Sequence, residues 1–121
     1  LFPINYVCYA QGNFGPQVVA KAKQKNVARL ALKALAYTPW AEGEERAYAK
    51  CWYQPIDQLE LARQALRFTL SEEVTAAIPP GEDLIYQMAL NLAAEHRPMT
   101  KEERDGLLAT STELKPIFSA T

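Results

Sequence analysis

The sequence predicts an α/β fold of parallel strand and helix units, on three observations. Short β-branched and aromatic runs alternate with segments whose apolar residues recur at helical spacing. Helix starts are marked by Pro16 and by the pairs Asp57/Glu60 and Thr100/Glu103. Turn chemistry, Gln11-Gly12-Asn13-Phe14-Gly15 and Pro79-Pro80-Gly81, separates the segments.

Residues 3 to 10, Pro-Ile-Asn-Tyr-Val-Cys-Tyr-Ala, have strand composition and end at the Gln11–Gly15 turn. Pro16 suits the first helical position, and the helix from Gln17 to Lys25 sets Val18, Val19 and Ala22 on one face. Val27 to Ala36 is rich in Ala and Leu, which favour helix, yet Leu30, Leu32, Ala34 and Ala36 alternate with period two. Its place after a short helix and before Thr38-Pro39 decides for strand. Residues 37 to 55 form a long irregular stretch holding Tyr37, Trp40, Tyr48, Trp52 and Tyr53, a density of rings beyond what a solvated connector needs.

Asp57 caps the next helix, with Glu60 as its box partner and Leu59, Ala62, Leu66 and Thr69 on one face. Val74 to Ile78 is a short strand stopped by Pro79-Pro80-Gly81. Glu82 and Asp83 suit the positive end of a helix whose buried stripe is Ile85, Met88, Ala89 and Leu92, ending by Pro98. Thr100 and Glu103 open a last helix through Leu107 and Leu108, and the tail Leu114 to Phe118 is apolar enough to dock.

Composition bounds the function. The chain has 121 residues, 49% hydrophobic and 22% charged, the balance of a single globular domain over residues 1–121. Thirteen basic against fourteen acidic residues leave a net charge of −1, which lacks the positive field that nucleic acid or an anionic membrane surface requires. No apolar run reaches the roughly 20 residues of a bilayer span, and no secretion signal opens the chain, so the expected location is cytoplasmic. Cys8 and Cys51 have no CxxC spacing and His96 is the only histidine, so no metal site is expected. The chain opens on Leu1 directly before the strand-like stretch Phe2–Tyr9, which suggests part of something longer.

In parallel βα arrays, ligands sit at the carboxyl ends of the strands, here Tyr9 to Phe14, Lys33 to Trp52, and Pro79 to Asp83. Lys33 is a charge at an apolar strand, placed at the rim beside a partner or facing an anion. Tyr37, Trp40, Trp52 and Tyr53 either line an apolar substrate pocket or plug one end of the domain. His96, near a helix end, is explained by the helix dipole. The chain lacks GxSxG, HExxH, Walker and GxGxxG motifs, and no complete catalytic constellation is present.

Pro3-Ile4-Asn5-Tyr6-Val7, Gly15-Pro16-Gln17-Val18-Val19 leading to Val27 through Ala36, and Ala65-Leu66-Arg67-Phe68-Thr69-Leu70 leading to Val74 through Gly81 resemble the last three βα units of an aldo/keto reductase. Leu32-Lys33-Ala34-Leu35 is similar to the Met-Lys-Pro-Leu type motif that ends the family's seventh strand in one branch, and Ile78-Pro79-Pro80-Gly81 to the Ile-Pro-Gly that ends its eighth.

The resemblance implies a partial (β/α) barrel of about three parallel strands, from an enzyme that reduces carbonyls with NADP or NAD. It implies cofactor contacts at Leu32, Lys33 and Leu35 and, toward the adenosine, at Pro80 and Gly81. The Asp, Tyr, Lys and His that catalyse in the family come from its first four strands, so no catalytic residue is expected in this chain. Tyr6 stands where many members have glutamine, Pro80 where NADP-dependent members often have a base, and no helical Arg occurs among Leu84 to Met88. The expected partner is the N-terminal part of the barrel or, for a stand-alone binding or assembly module, a second copy in a homodimer.

Overall fold

The computed structural model describes residues 1–120. In chain order it forms β1 (Phe2–Pro3), α1 (Tyr6–Gly12), α2 (Pro16–Gln24), β2 (Leu30–Leu32), β3 (Ala36–Pro39), β4 (Tyr53–Pro55), α3 (Leu59–Ser71), β5 (Ala76–Ala77), α4 (Asp83–Ala94) and α5 (Lys101–Ala109).

The first strand is far shorter than its composition predicts. β1 stops at Pro3, and Tyr6 to Gly12 is helical, because Asn5 in extended backbone turns its side-chain oxygen onto the Cys8 N–H at 3.0 Å and caps the helix. Tyr6, Val7, Cys8 and Tyr9 are all buried, so burial outweighs the strand preference of Tyr and Val. Asn13 then ends α1 in the left-handed conformation, as the turn residues predict. In α2, Pro16 occupies the first turn as expected, but only Val19 of the predicted face is fully buried.

The strand expected over Val27–Ala36 is likewise confined to three residues. Lys33 sits at φ +65°, outside any strand, and breaks the run before Ala36 opens β3. The long stretch after Ala36 is closed by an antiparallel pair, β3 with β4, Ala36 opposite Pro55 and Pro39 opposite Tyr53. The cap of α3 moves by one residue: the Gln58 side chain accepts from Leu61 N at 2.7 Å, while Asp57 accepts the Tyr48 hydroxyl at 2.9 Å. Leu59 is accordingly exposed, whereas Ala62, Leu66 and Thr69 are buried as predicted. The Val74–Ile78 strand reduces to Ala76–Ala77. The α4 stripe is seen, with Ile85, Ala89 and Leu92 buried and Met88 partly so, and Thr100 and Glu103 form the predicted box.

β1, β2 and β5 form a parallel sheet in that order, Phe2 opposite Ala31, Pro3 opposite Leu32, Leu30 opposite Ala76 and Ala31 opposite Ala77. Successive strands are neighbours, so right-handed crossovers carry their connecting helices over the same face. Side-chain alternation identifies that face. Ala31 is completely buried, while its neighbour Leu30 is 38% exposed and Ile78, just past β5, is 40% exposed. Pro3, Leu30, Leu32, Ala76 and Ile78 thus make an apolar side that is not fully covered among the described residues.

The core lies on the covered side, where Ile4, Tyr6, Val7 and Ala31 meet Ala65, Leu66 and Phe68 of α3 and Ile85, Ala89 and Leu92 of α4. The Phe68 ring meets Tyr9 edge-on at 5.2 Å, and Phe68→Ala would cost about 3–5 kcal/mol. Polar ties fix α3 to the end of β1 and to the α4–α5 segment. The Thr69 hydroxyl donates to the Ile4 carbonyl at 2.8 Å. Arg67, 8% exposed, donates to the Arg97 and Pro98 carbonyls and to both Glu103 oxygens. The tail docks: Phe118 stacks on Phe14 at 5.3 Å between centroids. Among the described residues no helix is long and apolar enough to cross a membrane.

Candidate functional site

The carboxyl ends of β1 and β2 are tied together by Asn5, 1% exposed. Besides capping α1, its Nδ2 donates to the Lys33 carbonyl at 3.0 Å and to the Ala36 carbonyl at 2.5 Å. One side chain therefore joins the end of β1 to the tight turn between β2 and β3 and holds Lys33 in its left-handed conformation. Reading residues 3 to 10 as strand hides this role. The available signal was an Asn, a favoured cap and poor strand former, directly before four apolar residues.

Lys33 projects from that turn over aromatic faces, its Nζ 4.7 Å from the Tyr53 ring centre and 5.7 Å from that of Trp52. It forms no ion pair among the described residues, so its partner is a pair of rings and not a carboxylate. Tyr53 is buried and Trp52 is 47% exposed, leaving one side of the indole to solvent. Trp52 is also the last ring of a ladder, Phe2 to Phe14 at 4.9 Å, Phe14 to Phe118 at 5.3 Å and Phe118 to Trp52 at 5.7 Å, which braces it from the C-terminal tail. Burial pushes the Tyr53 hydroxyl and the Cys51 thiol beside it above their ordinary ranges.

The nine residues singled out in the sequence fall in four places. Lys33, Trp52 and Tyr53 form the cluster just described. Leu35 and Pro80 share the wall of a cavity of about 250 Å³ between α3, α4 and the end of β5, with Ala34, Leu66, Leu70, Pro79 and Leu90. Every residue in that wall is Ala, Leu, Ile or Pro, so it accepts apolar matter and offers no side-chain group to a phosphate. Gly81 lies beside it, exposed, and a Cβ there would meet nothing within 4 Å. Tyr37 and Trp40 line a separate cleft of about 350 Å³ between the β3–β4 pair and the start of α3. Leu32 lies on the incompletely covered side of the sheet. The four aromatics therefore do not build one pocket.

Lys50 is a charge that sequence reading passed over. Its Nζ lies 3.1 Å from Asp83 Oδ1 and its backbone N–H donates to Glu82 at 3.3 Å, which pins the loop before β4 to the start of α4. The hydrogen bond to Asp83 raises the Lys50 ammonium above its ordinary range. These contacts bear on the fit of a nicotinamide dinucleotide. Lys33 and the rings around it suit a pyrophosphate and an apolar ring. A 2′-phosphate near Pro80 fits poorly, since the carboxylates Glu82 and Asp83 follow closely in the chain and already engage Lys50.

Cys8 and Cys51 are free and buried, and burial raises both thiols, which makes them poor nucleophiles. His96 is exposed at the end of α4. No group of three or more metal-ligating side chains occurs among the described residues. Comparisons with family models, with curated proteins and with solved structures find no match for this chain.

Proposed function

We propose that this chain is the C-terminal, three-strand sector of an aldo/keto reductase-like (β/α) barrel, an oxidoreductase that reduces carbonyls with NADP or NAD. The supporting observation is the sheet itself. Three parallel strands in sequential order, with helices over one side and an apolar side not fully covered, have the topology of a barrel sector, whereas a doubly wound sheet reverses strand order and is covered on both sides. The two quoted motifs end β2 and β5, where barrel enzymes carry their sites.

Lys33, held by Asn5 and flanked by Tyr53 and Trp52, would meet the pyrophosphate charge of a dinucleotide, the group that would supply hydride, and Leu32 on the inner wall would exclude water beside it. The proton donor comes from another sector, so the 121 residues alone transfer no hydride. Incubating the purified chain with NADPH or NADH and a panel of aldehydes tests this: cofactor absorbance stays at the blank rate, and steady oxidation would overturn the assignment.

The same incompletely covered side and the open edges of β1 and β5 support a second reading, a stand-alone module that pairs with another copy. Light scattering separates the two, since a folded monomer with no tendency to associate contradicts the module.

A further inference from the structure

We propose that the cleft between the β3–β4 pair and the start of α3 binds a small organic cation, an alkylated ammonium group. The cleft is open on one side and has a volume of about 350 Å³, within reach of small-molecule sites. Its wall carries three electron-rich rings, Tyr37, Trp40 and Tyr48, together with the carboxylates of Glu44, Glu45 and Asp57. No Lys, Arg or His belongs to that wall, and none of the three carboxylates is in an ion pair among the described residues. These exposed carboxylates therefore have no cationic side chain paired with them among the described residues. Rings and carboxylates together suit a cation that is bulky, weakly hydrated and apolar at its surface, because ring faces attract positive charge and replace the water such a cation sheds readily.

The geometry is held in place. Trp40 Nε1 donates to the Cys51 carbonyl at 2.9 Å, which fixes the indole plane, and the Tyr48 hydroxyl donates to Asp57 Oδ2 at 2.9 Å, which fixes ring and carboxylate together. Glu44 accepts from the Ala41 N–H at 2.9 Å, leaving Glu45 as the carboxylate with no hydrogen-bond partner among the described residues. The positive end of α3 opposes a cation, but the Gln58 side chain already caps it and Asp57 and Glu60 flank it. The inference stands on this cleft alone and is independent of the barrel assignment.

The test is an NMR titration of the 121-residue chain with choline, and with 3,3-dimethylbutan-1-ol as its neutral isostere, following the Trp40 indole N–H. Choline shifts that resonance saturably, and the alcohol binds about tenfold more weakly or not at all. Glu45→Gln, which keeps the shape and removes one charge, weakens choline about threefold or more. Equal response to choline and the alcohol, an unchanged affinity in Glu45→Gln, or no shift with choline up to about 0.1 M would overturn the proposal.

Discussion

Removing the Asn5 side chain should destabilise the whole molecule, because that one amide serves three backbone partners on two elements. Asn5→Ala loses the α1 cap, worth about 1 kcal/mol, and two hydrogen bonds to carbonyls in the β2–β3 turn, worth about 1–1.5 kcal/mol each when the carbonyls are left unpaired. The expected loss is about 3–4 kcal/mol, a large part of the 5–15 kcal/mol typical of a domain. Asn5→Asp separates the cap from the turn, since the carboxylate still accepts from Cys8 but presents an oxygen, instead of an N–H, to the Lys33 and Ala36 carbonyls.

That carboxylate is buried against two acceptors, so its folded-state pKa lies above the ordinary value of about 3.9. The folded state then binds more protons than the unfolded state, and the stability of Asn5→Asp rises as pH falls from 7 toward 4. Urea unfolding followed by circular dichroism at pH 7 and pH 5 measures both effects. Asn5→Ala within 1 kcal/mol of the parent, or Asn5→Asp tracking Asn5→Ala at both pH values, would refute the reasoning.

Glu103, whose carboxyl is held down to about 2 chiefly by its hydrogen bonds to Arg67, contributes stability that is present above its unfolded value near 4.5 and is lost as pH falls through about 2. Glu103→Gln should flatten the acid limb of a thermal unfolding profile between those values, and an unchanged limb would contradict the clamp. Gly15→Ala should lower stability by about 2 kcal/mol or more in the same urea assay, because Gly15 sits at φ +123° and a Cβ there meets the Tyr9 ring. Cys8 and Cys51 should resist a thiol reagent in the native chain and react on unfolding in urea; fast labelling of either in native buffer would contradict their burial.

Helix positions were legible where a local signal coincided with burial. Pro16, the Thr100/Glu103 box and the Ile85, Ala89, Leu92 stripe each carry their information within one or two turns of helix. The strands were legible in order and direction but not in length, because β1, β2 and β5 each contribute only two or three paired residues and the apolar runs around them serve other elements. Tyr6 to Tyr9 read as strand since all four residues of the helix's first turn are buried and show no polar position to mark a helical period. The break at Lys33 depends on Asn5, 28 residues away, and so has no local signature. The candidate site follows the same rule. Lys33 stood out as a charge beside apolar neighbours, but its approach to Trp52 and Tyr53, and the separation of Tyr37 and Trp40 into another cleft, depend on how residues 37 to 55 fold back through the β3–β4 pair.

The measurement that tests the barrel-sector assignment most directly is the coding DNA upstream of the Leu1 codon. The account predicts an open reading frame that continues back through further βα units and a tyrosine and lysine pair able to donate a proton. A start signal immediately before Leu1, or an upstream frame without strand and helix alternation, would contradict it and leave the self-pairing module as the explanation of the apolar sheet side.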